Sequence, residues 1–447
     1  MGSRFAPEGG GSPVTARYLV VQALCRVEEG GYGNLVLDGM LKKSELSGQD
    51  KAFASAVFYQ VLEHRNTLDY ILNQFLKKPV TKLDAPVRAI LRSGLAQMRY
   101  LRTPASAAVN ESVKLTRACK KSSASGMVNA VLRRAGSYDW KDAKFASETE
   151  RLCVLGSVSP SVAEHFLRWY PDEAEAILTA THLECGTAIR VNTLRTTTEA
   201  LQKRLLAEGA KQADACPIPD CLLVQFAGSP ADVPSFAEGL FHVQGRTSQL
   251  AALALEAKPG DKIIDLCAAP GGKSLTIGQQ MQDTGSLTSC DVSENRVSLL
   301  DKTLHRGGLT CAKAVQNDAS VYNPAFAGAD RILADVPCSG LGILQKKPDI
   351  RYKDVTGLGQ LVALQKEILE QAAACLKPGG RLVYSTCTLN PDENEGQIAA
   401  FLARHPEFTV QPVHYLPETM PYGAYGAVSV PSRTGMDGFF ICAMEKH

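Results

Sequence analysis

The sequence lacks any run of about 18 or more apolar residues, which excludes a conventional membrane-spanning helix. Its first residues, MGSRFAPEGGGSPV, lack the apolar core of an export signal, so we expect residues 1–13 to form a disordered leader. The thirteen cysteines have no regular spacing and do not suggest a disulfide framework. We therefore expect reduced thiols in a cytoplasmic protein, and no metal site is indicated.

Acidic residues are scarce in one part of the chain. The net charge is only +2, yet residues 1–140 carry 20 Lys and Arg against 11 Asp and Glu, while the remainder carries 28 against 35. Within 77–134 the ratio is 13 basic residues to 2 acidic ones. Such a block is typical of a surface that binds a polyanion, although a solvated helical surface is the alternative.

Three regions with different patterns predict a multidomain protein. Apolar residues recur at helical spacing over 14–140, which predicts an all-α domain of six or seven helices. Residues 155–245 mix short helices and strands, as in a small α/β module. From 246 to 447 apolar strands alternate with helices, which predicts a Rossmann-like α/β domain with a parallel sheet. The final DGFFICAMEK (437–446) is expected to add an edge strand.

Two common nucleotide-binding motifs are missing from the first strand-to-helix turn of this last domain. In DLCAAPGGKS (265–274), the end of a phosphate loop is present, but Cys267 occupies the position of its first glycine. The dinucleotide motif G-x-G-x-x-G is also absent. S-adenosylmethionine is the third cofactor that such a glycine-containing turn could bind.

Three aspartates follow at the expected carboxyl ends of successive strands. Asp291 is placed to accept hydrogen bonds from ribose hydroxyls, Asp318 could bind the adenine amino group, and Asp335 ends the fourth strand. Each aspartate alone is more often a helix cap or a surface acid. Three of them at one edge of a parallel sheet indicate a ligand crevice and favour S-adenosylmethionine.

Two cysteines are expected at the same edge. Cys338 follows Asp335 by three residues, and Cys387 lies at the end of RLVYSTC. A lone cysteine is more often a small buried residue than a nucleophile. In a methyl-transfer site, however, a thiolate can add to carbon 6 of cytosine and so activate carbon 5. Asp335 could protonate or hydrogen-bond the ring nitrogen, and Lys273 could help to favour the thiolate.

Several motifs resemble those of the NOP/Sun family of RNA 5-methylcytosine methyltransferases. Over 246–446 these are DLCAAPGGKS, DVPCSGLG, KKPDIRY, LKPGGRLVYSTCTLNPDENE and DGFF. RVNTLRTTTEAL and GLFHVQ resemble the small module that precedes this domain in the family, and PASAAVNESVKL and GMVNAVLRR resemble a NusB-type RNA-binding domain. The combination is similar to the bacterial Sun/Fmu branch, whose members methylate a cytosine of small-subunit (16S) rRNA.

The resemblance implies an S-adenosylmethionine-dependent enzyme that forms 5-methylcytosine on small-subunit rRNA through a covalent cysteine adduct. It implies that Cys387 is the nucleophile and that Cys338 assists product release, with Asp335 as the third catalytic candidate. No membrane and no obligate protein partner is indicated. The implied cofactor contacts are Cys267, Ala268, Ala269, Pro270, Gly271, Gly272, Lys273, Asp291, Asp318 and Asp335.

Two departures from the family pattern and two rival functions remain open. Gly245 stands where relatives commonly have an aspartate, and Gln345 stands where an arginine is frequent. One RNA phosphate contact at Gln345 is therefore expected to be weaker, but Lys346, Lys347, Arg351 and Lys353 still make this loop basic. The loop could simply be solvated, although its position just after Cys338 favours contact with substrate RNA. The rivals are a non-catalytic rRNA-binding or antitermination-type assembly factor, and an enzyme of the same chemistry acting on transfer RNA or on another rRNA site.

Overall fold

The structure is a computed structural model that describes residues 15–139, 143–180 and 186–447. The chain forms two compact units. One comprises the described chain up to Thr179 together with Leu344–Asp354, and the other comprises Ala180–Ile343 and Val355–His447. The expected leader, residues 1–13, lies outside the described residues. The domain boundaries at 140, 155 and 246 remain predictions.

The first unit confirms the predicted helical domain. Its apolar residues recur at helical spacing, and several helices begin at a capping side chain; Thr15, for example, accepts a hydrogen bond from the Tyr18 amide. Seven α-helices lie within residues 14–140, where six or seven were predicted, and three further helices follow them. The α-helices are α1 (Ala16–Glu28), α2 (Gly33–Lys42), α3 (Gly48–Glu63), α4 (Arg65–Asn73), α5 (Ala85–Tyr100), α6 (Ala105–Ala118), α7 (Ser125–Gly136), α8 (Glu148–Leu155), α9 (Pro160–Trp169) and α10 (Ala174–Thr179).

The core of this unit lies around α5. The side chains of Val20, Phe58 and Leu91 are fully buried there. Gly94 permits a close helix crossing, because a Cβ at this position would lie 2.6 Å from the Ser112 Oγ atom. This packing buries enough apolar surface to order short helices that would be marginal alone.

The segment Leu344–Asp354 packs within the helical unit, although its neighbours in sequence belong to the other unit. The Tyr352 hydroxyl donates to the Leu62 carbonyl at 2.7 Å and accepts from the Arg65 amide at 3.0 Å. Arg351 is buried and donates to the Gly156 carbonyl at 2.5 Å. The predicted RNA contact is therefore wrong for Arg351, because its guanidinium is buried and hydrogen-bonds within the protein.

The second unit contains two sheets. The smaller one is antiparallel, with strand order β2-β3-β1-β4, and confirms the predicted strands around AIRVNT, CLLVQF and GLFHVQ. β2 was not predicted. The elements of this part are β1 (Thr187–Val191), α11 (Thr198–Ala207), β2 (Gln212–Ala215), β3 (Cys221–Gln225), α12 (Pro234–Ala237), β4 (Phe241–Val243) and α13 (Arg246–Leu253).

The larger sheet contains nine strands and confirms the predicted Rossmann-like domain. Its strand order is β11-β12-β13-β9-β8-β5-β6-β7, and β10 also pairs with β13. The elements are β5 (Lys262–Asp265), α14 (Gly272–Gln280), β6 (Ser286–Asp291), α15 (Glu294–Gly307), β7 (Ala312–Gln316), β8 (Ala329–Asp335), α16 (Gly359–Cys375), β9 (Leu376–Thr386), α17 (Glu395–Arg404), β10 (Phe408–Gln411), β11 (Tyr422–Gly423), β12 (Gly426–Ser429), α18 (Pro431–Thr434) and β13 (Phe439–Lys446).

The five strands β9, β8, β5, β6 and β7 are mutually parallel, as predicted. The prediction that the last strand lies at an edge is wrong. β13 pairs antiparallel with β9 on one side and with β12 and β10 on the other. Its first six residues are buried, as is typical of a strand in the interior of a sheet. The carboxyl ends of the five parallel strands therefore form one continuous edge, which carries the candidate site.

No helix in the described ranges is long and apolar enough to cross a membrane.

Candidate active site

The turn between β5 and α14 has the tight geometry expected of a ligand-binding turn. Gly271 has φ +107°, and a Cβ there would lie 2.9 Å from the Leu300 side chain. The helix begins at Gly272, two residues before the predicted start near Ser274. The turn from Cys267 to Lys273 thus joins the carboxyl end of β5 to the start of α14, whose amino end favours anionic groups.

A buried carboxylate that sequence reasoning missed lies beneath this turn. Asp265 is the last residue of β5 and is fully buried. One of its oxygens accepts a hydrogen bond from the Ser274 hydroxyl at 2.7 Å, and the other has no partner within the described structure. Burial raises the pKa of Asp265 to about 7, against the opposing effects of Ser274 and Lys273.

Lys273 and Asp335 form an ion pair beside the turn. The Lys273 ammonium lies 2.6 Å from one Asp335 oxygen, and the Ser385 hydroxyl donates to the other at 2.7 Å. Burial alone would lower the pKa of Lys273, but the combined attraction of Asp335, Asp265 and Cys387 outweighs this effect and raises that pKa. Asp335 is adjacent to Ser385 in the pairing of β8 with β9, which places this ion pair next to Cys387.

The structure places the other two predicted aspartates along the same edge. Asp291 ends β6, is nearly fully buried, and lies 3.3 Å from the Arg296 guanidinium. Asp318 lies two residues beyond β7, and hydrogen bonds from Ser320 lower its pKa. Arg296, which also donates to the Ala269 carbonyl at 3.0 Å, was not predicted. It joins the turn to Asp291.

These groups fit S-adenosylmethionine by their chemistry. The carboxylates of Asp291, Asp318 and Asp335 suit the hydroxyl, amino and ammonium donors of this cofactor. They lie at the ends of neighbouring parallel strands, next to a glycine turn that permits close approach. The unpartnered buried oxygen of Asp265 supplies a further acceptor at the base of the turn.

The two predicted cysteines are in direct contact. The Cys338 and Cys387 sulfur atoms are 3.2 Å apart, and the Cys387 amide donates to the Cys338 sulfur at 3.3 Å. The pKa of Cys338 is raised well above its ordinary value, first by the hydrogen bond with Cys387 and then by burial. Cys338 therefore keeps its proton and can donate it in a hydrogen bond to a Cys387 thiolate.

The loops that carry these cysteines are held by residues to which sequence reasoning assigned no role. Glu393 and Asn394, both fully buried, follow Cys387 within the PDENE string. Asn394 accepts from the Thr386 hydroxyl at 2.6 Å and donates to the Thr388 carbonyl at 3.0 Å. The string was visible as a motif, but nothing in the sequence indicated which of its residues turn inward.

The departures from the family pattern have different structural settings. Gly245 is the residue before α13, and no side chain caps that helix. The adjacent Gln244 is buried and accepts a hydrogen bond from the Thr276 hydroxyl of α14 at 2.8 Å. Gln345 belongs to the segment that packs in the helical unit. The expectation that one RNA phosphate contact is weaker at Gln345, where relatives often have an arginine, remains a prediction.

Comparison with known sequence families gives three matches. Residues 252–445 match the family described as 16S rRNA methyltransferase RsmB/F. Residues 14–137 match the NusB family, and residues 162–229 match the ferredoxin-like domain of RsmF/B-like methyltransferases. Together these matches cover most of the chain and bear out the predicted resemblance.

Similar proteins match over nearly the full length. A protein of Bacillus subtilis (strain 168) named probable ribosomal RNA small subunit methyltransferase B is 34% identical, with 97% of this chain and 99% of that protein covered. A protein of Sodalis glossinidius named ribosomal RNA small subunit methyltransferase B is 31% identical, with 90% and 92% covered. The crystal structure of PH0851 superposes with a TM-score of 0.80 at 25% identity, covering 98% of this chain and 100% of that one.

Proposed function

The chain belongs to the family of 16S rRNA methyltransferases RsmB/F and is an S-adenosylmethionine-dependent methyltransferase, and we propose that it forms 5-methylcytosine in small-subunit rRNA. The single observation that carries this proposal is the contact between the Cys338 and Cys387 sulfur atoms, 3.2 Å apart at the ends of two paired parallel strands. A cytosine between these thiols and the cofactor turn could be attacked at carbon 6 and methylated at carbon 5.

Cys387 is the nucleophile in this proposal. Its thiolate adds to carbon 6 of cytosine, and the electron pair of the carbon 5–carbon 6 double bond becomes available at carbon 5. The positive charge of Lys273 attracts the thiolate, and the protonated Cys338 can stabilise it by donating a hydrogen bond. These two groups increase the thiolate fraction, which for an ordinary cysteine is only a few per cent at neutral pH.

Asp335 is proposed to act on the cytosine ring during the attack, and Cys338 is proposed to act when the product is released. We assign Asp335 to the cytosine ring, where its carboxylate can accept a hydrogen bond from the amino group, and from the ring nitrogen once that nitrogen is protonated, while Lys273 holds it in place. After methylation a water molecule at Cys338 can take the proton from carbon 5. The electron pair of that carbon–hydrogen bond restores the carbon 5–carbon 6 double bond, and the sulfur–carbon 6 bond breaks to leave the Cys387 thiolate. Cys338 assists this release, because its thiol touches the departing sulfur.

The cofactor, when bound, supplies an electrophilic methyl group on a sulfonium. The residues proposed to hold it are the turn from Cys267 to Lys273, with Asp291 for the ribose and Asp318 for the adenine. Gly271 lets the backbone approach closely. Burial of Asp291 keeps water away from the hydrogen bonds that it accepts.

The helical unit is proposed to bind the rRNA. The last helices of its basic block expose Lys114, Arg117, Lys120, Arg133 and Arg134. Such residues bind phosphates, so RNA affinity should fall steeply with salt. The target cytosine must be unpaired or flipped out to reach the thiols. We place the reaction in the cytoplasm, where the twelve free thiols of the described chain would stay reduced.

The test is methyl transfer from labelled cofactor to 16S rRNA, followed by mapping of 5-methylcytosine. We expect Cys387→Ala to abolish transfer and to form no covalent RNA adduct. We expect Cys338→Ala to accumulate an adduct that is released slowly. An exchange of these two outcomes would reverse the assigned roles.

The same assay decides between the rivals. A non-catalytic assembly factor would bind rRNA without incorporating label in the wild-type protein. Incorporation into transfer RNA, or into a different rRNA site, would identify the same chemistry on another substrate.

A further inference from the structure

Glu393 is a fully buried carboxylate that lies six residues after Cys387. It ends the short 3-10 helix Pro391–Glu393 that follows β9. A buried charge is costly unless hydrogen bonds replace its hydration. The donors that surround Glu393 therefore indicate what its charge stabilises.

Four donors saturate the two carboxylate oxygens. The amide of Ser339 and the side chain of Gln365 donate to one oxygen at 2.9 and 2.8 Å. The hydroxyl of Ser339 and the side chain of Asn390 donate to the other at 2.6 and 3.0 Å. Ser339 directly follows Cys338, and Asn390 follows Cys387 by three residues. One side chain thus ties together the two loops that carry the cysteines.

Other contacts reinforce the same connection. Because the Ser339 hydroxyl donates its proton to Glu393, the contact of 2.7 Å between the Ser339 and Thr388 hydroxyls must use the Thr388 proton. Gln365 also donates to the Pro337 carbonyl, immediately before Cys338, at 2.9 Å. The chain on both sides of Cys338 and directly after Cys387 is therefore fixed by groups centred on Glu393.

We propose that Glu393 is a positioning residue for the two-cysteine reaction, which holds the Cys338 loop against the Cys387 loop so that the two sulfur atoms stay in contact. This inference rests on the proposed function. Glu393 touches neither sulfur in the contacts described, so it acts through Ser339 and Asn390. Its negative charge also opposes ionisation of Cys338 and so helps that thiol keep its proton.

The isosteric variant Glu393→Gln tests this inference. An amide nitrogen in place of either oxygen would face at least one of the four donors, so the bridge between the loops would open. Asp392→Asn is the matched control, because Asp392 lies in the same 3-10 helix with an exposed side chain. Both variants would be assayed as full-length protein, with wild type and Cys387→Ala in parallel.

We expect Glu393→Gln to lower kcat at least tenfold while KM for RNA changes less than twofold. Release of the Cys387 adduct should slow by a similar factor, because the Cys338 thiol is no longer held against the departing sulfur. Loss of folded protein alone would lower the fraction of active enzyme and would not slow release from the adduct that forms. Kinetics equal to those of Asp392→Asn would overturn the inference.

Ser339→Ala gives a second test if Glu393→Gln does not fold. It removes the hydroxyl that joins Glu393 to Thr388 but leaves the carboxylate and its other donors in place. We expect adduct release to slow at least threefold, and an unchanged release rate would overturn the inference. If the wild-type protein forms no adduct at all, the proposed function fails instead.

Discussion

Replacement of Asp265 by asparagine should make the Rossmann-like sheet more stable at neutral pH. Asp265 is fully buried beneath the cofactor turn, and one of its oxygens has no partner in the described structure. Ionisation at this place forfeits hydration that the Ser274 hydroxyl replaces only in part. An asparagine keeps the shape and the contact with Ser274 but carries no charge.

The magnitude follows from the pKa of the carboxyl group. Burial raises it from 3.8 to about 7, a shift of about 3 units, and each unit corresponds to about 1.36 kcal/mol. Because the folded-state pKa is the higher one, there is no penalty below about pH 4, where both states are protonated. Stability is then lost as the pH rises through about 7, to a total of about 4 kcal/mol. Asp265→Asn should not show this loss.

Hydrogen-exchange mass spectrometry of peptides from β5 and β6 measures this effect locally. After correction for intrinsic exchange rates, the opening free energy of the wild type should fall by about 4 kcal/mol between pH 4 and pH 8 relative to the variant. The experiment is done without cofactor. A variant that is less stable than wild type by a constant amount at every pH would refute the reasoning, since it would show that Lys273 stabilises the Asp265 anion fully.

Three further outcomes are expected. Tyr352→Phe should lower the unfolding free energy of the helical unit by about 1–3 kcal/mol, because it leaves the Leu62 carbonyl without its donor. Tryptophan fluorescence can follow this unfolding, since both tryptophans precede Thr179 in the sequence. Gly271→Ala should weaken cofactor binding in calorimetry, because φ +107° and the nearby Leu300 side chain disfavour a Cβ; unchanged affinity would contradict this. The logarithm of the affinity for rRNA should fall with the logarithm of the salt concentration. The double variant Arg117→Gln and Arg133→Gln should make this slope shallower by about 1.4 to 1.8. An unchanged slope would exclude these two exposed residues from the phosphate contacts.

The residues at the edge of the sheet could be predicted together because topology alone brings them together. Parallel strands end on the same side of a sheet, so recognising five apolar strands was enough to group Asp291, Asp335, Cys338 and Cys387. Asp265 was missed because a single acidic residue at the end of a strand gives no sign of its burial. Glu393 was missed because its partners, Ser339 and Gln365, are distant in sequence.

The wrong predictions have a related cause. DGFFICAMEK was placed at an edge because it is the last strand in sequence, yet short strands β10 and β12, which carry weak apolar patterns, cover its other side. The last strand in the sequence is not an edge strand when other strands pair antiparallel on both of its sides. The order of strands along the chain therefore does not determine their order in the sheet. A short strand contributes too few residues to reveal its periodicity.

Charge counting also overstates the proposed RNA-binding surface of the helical unit, because it treats every basic residue as exposed. Arg92 is buried between Glu28 and Asp69, with contacts of 2.6 and 2.7 Å, and Arg88 shares Glu28. Arg351 is likewise used inside the unit. Buried guanidiniums release no counterions on RNA binding, so the salt dependence should reflect only the exposed residues of α6, α7 and their flanking turns. Replacing Arg88 by a neutral residue should therefore lower the stability of the unit and leave the salt slope of RNA binding unchanged. This outcome would distinguish the structural cations from those proposed to bind RNA.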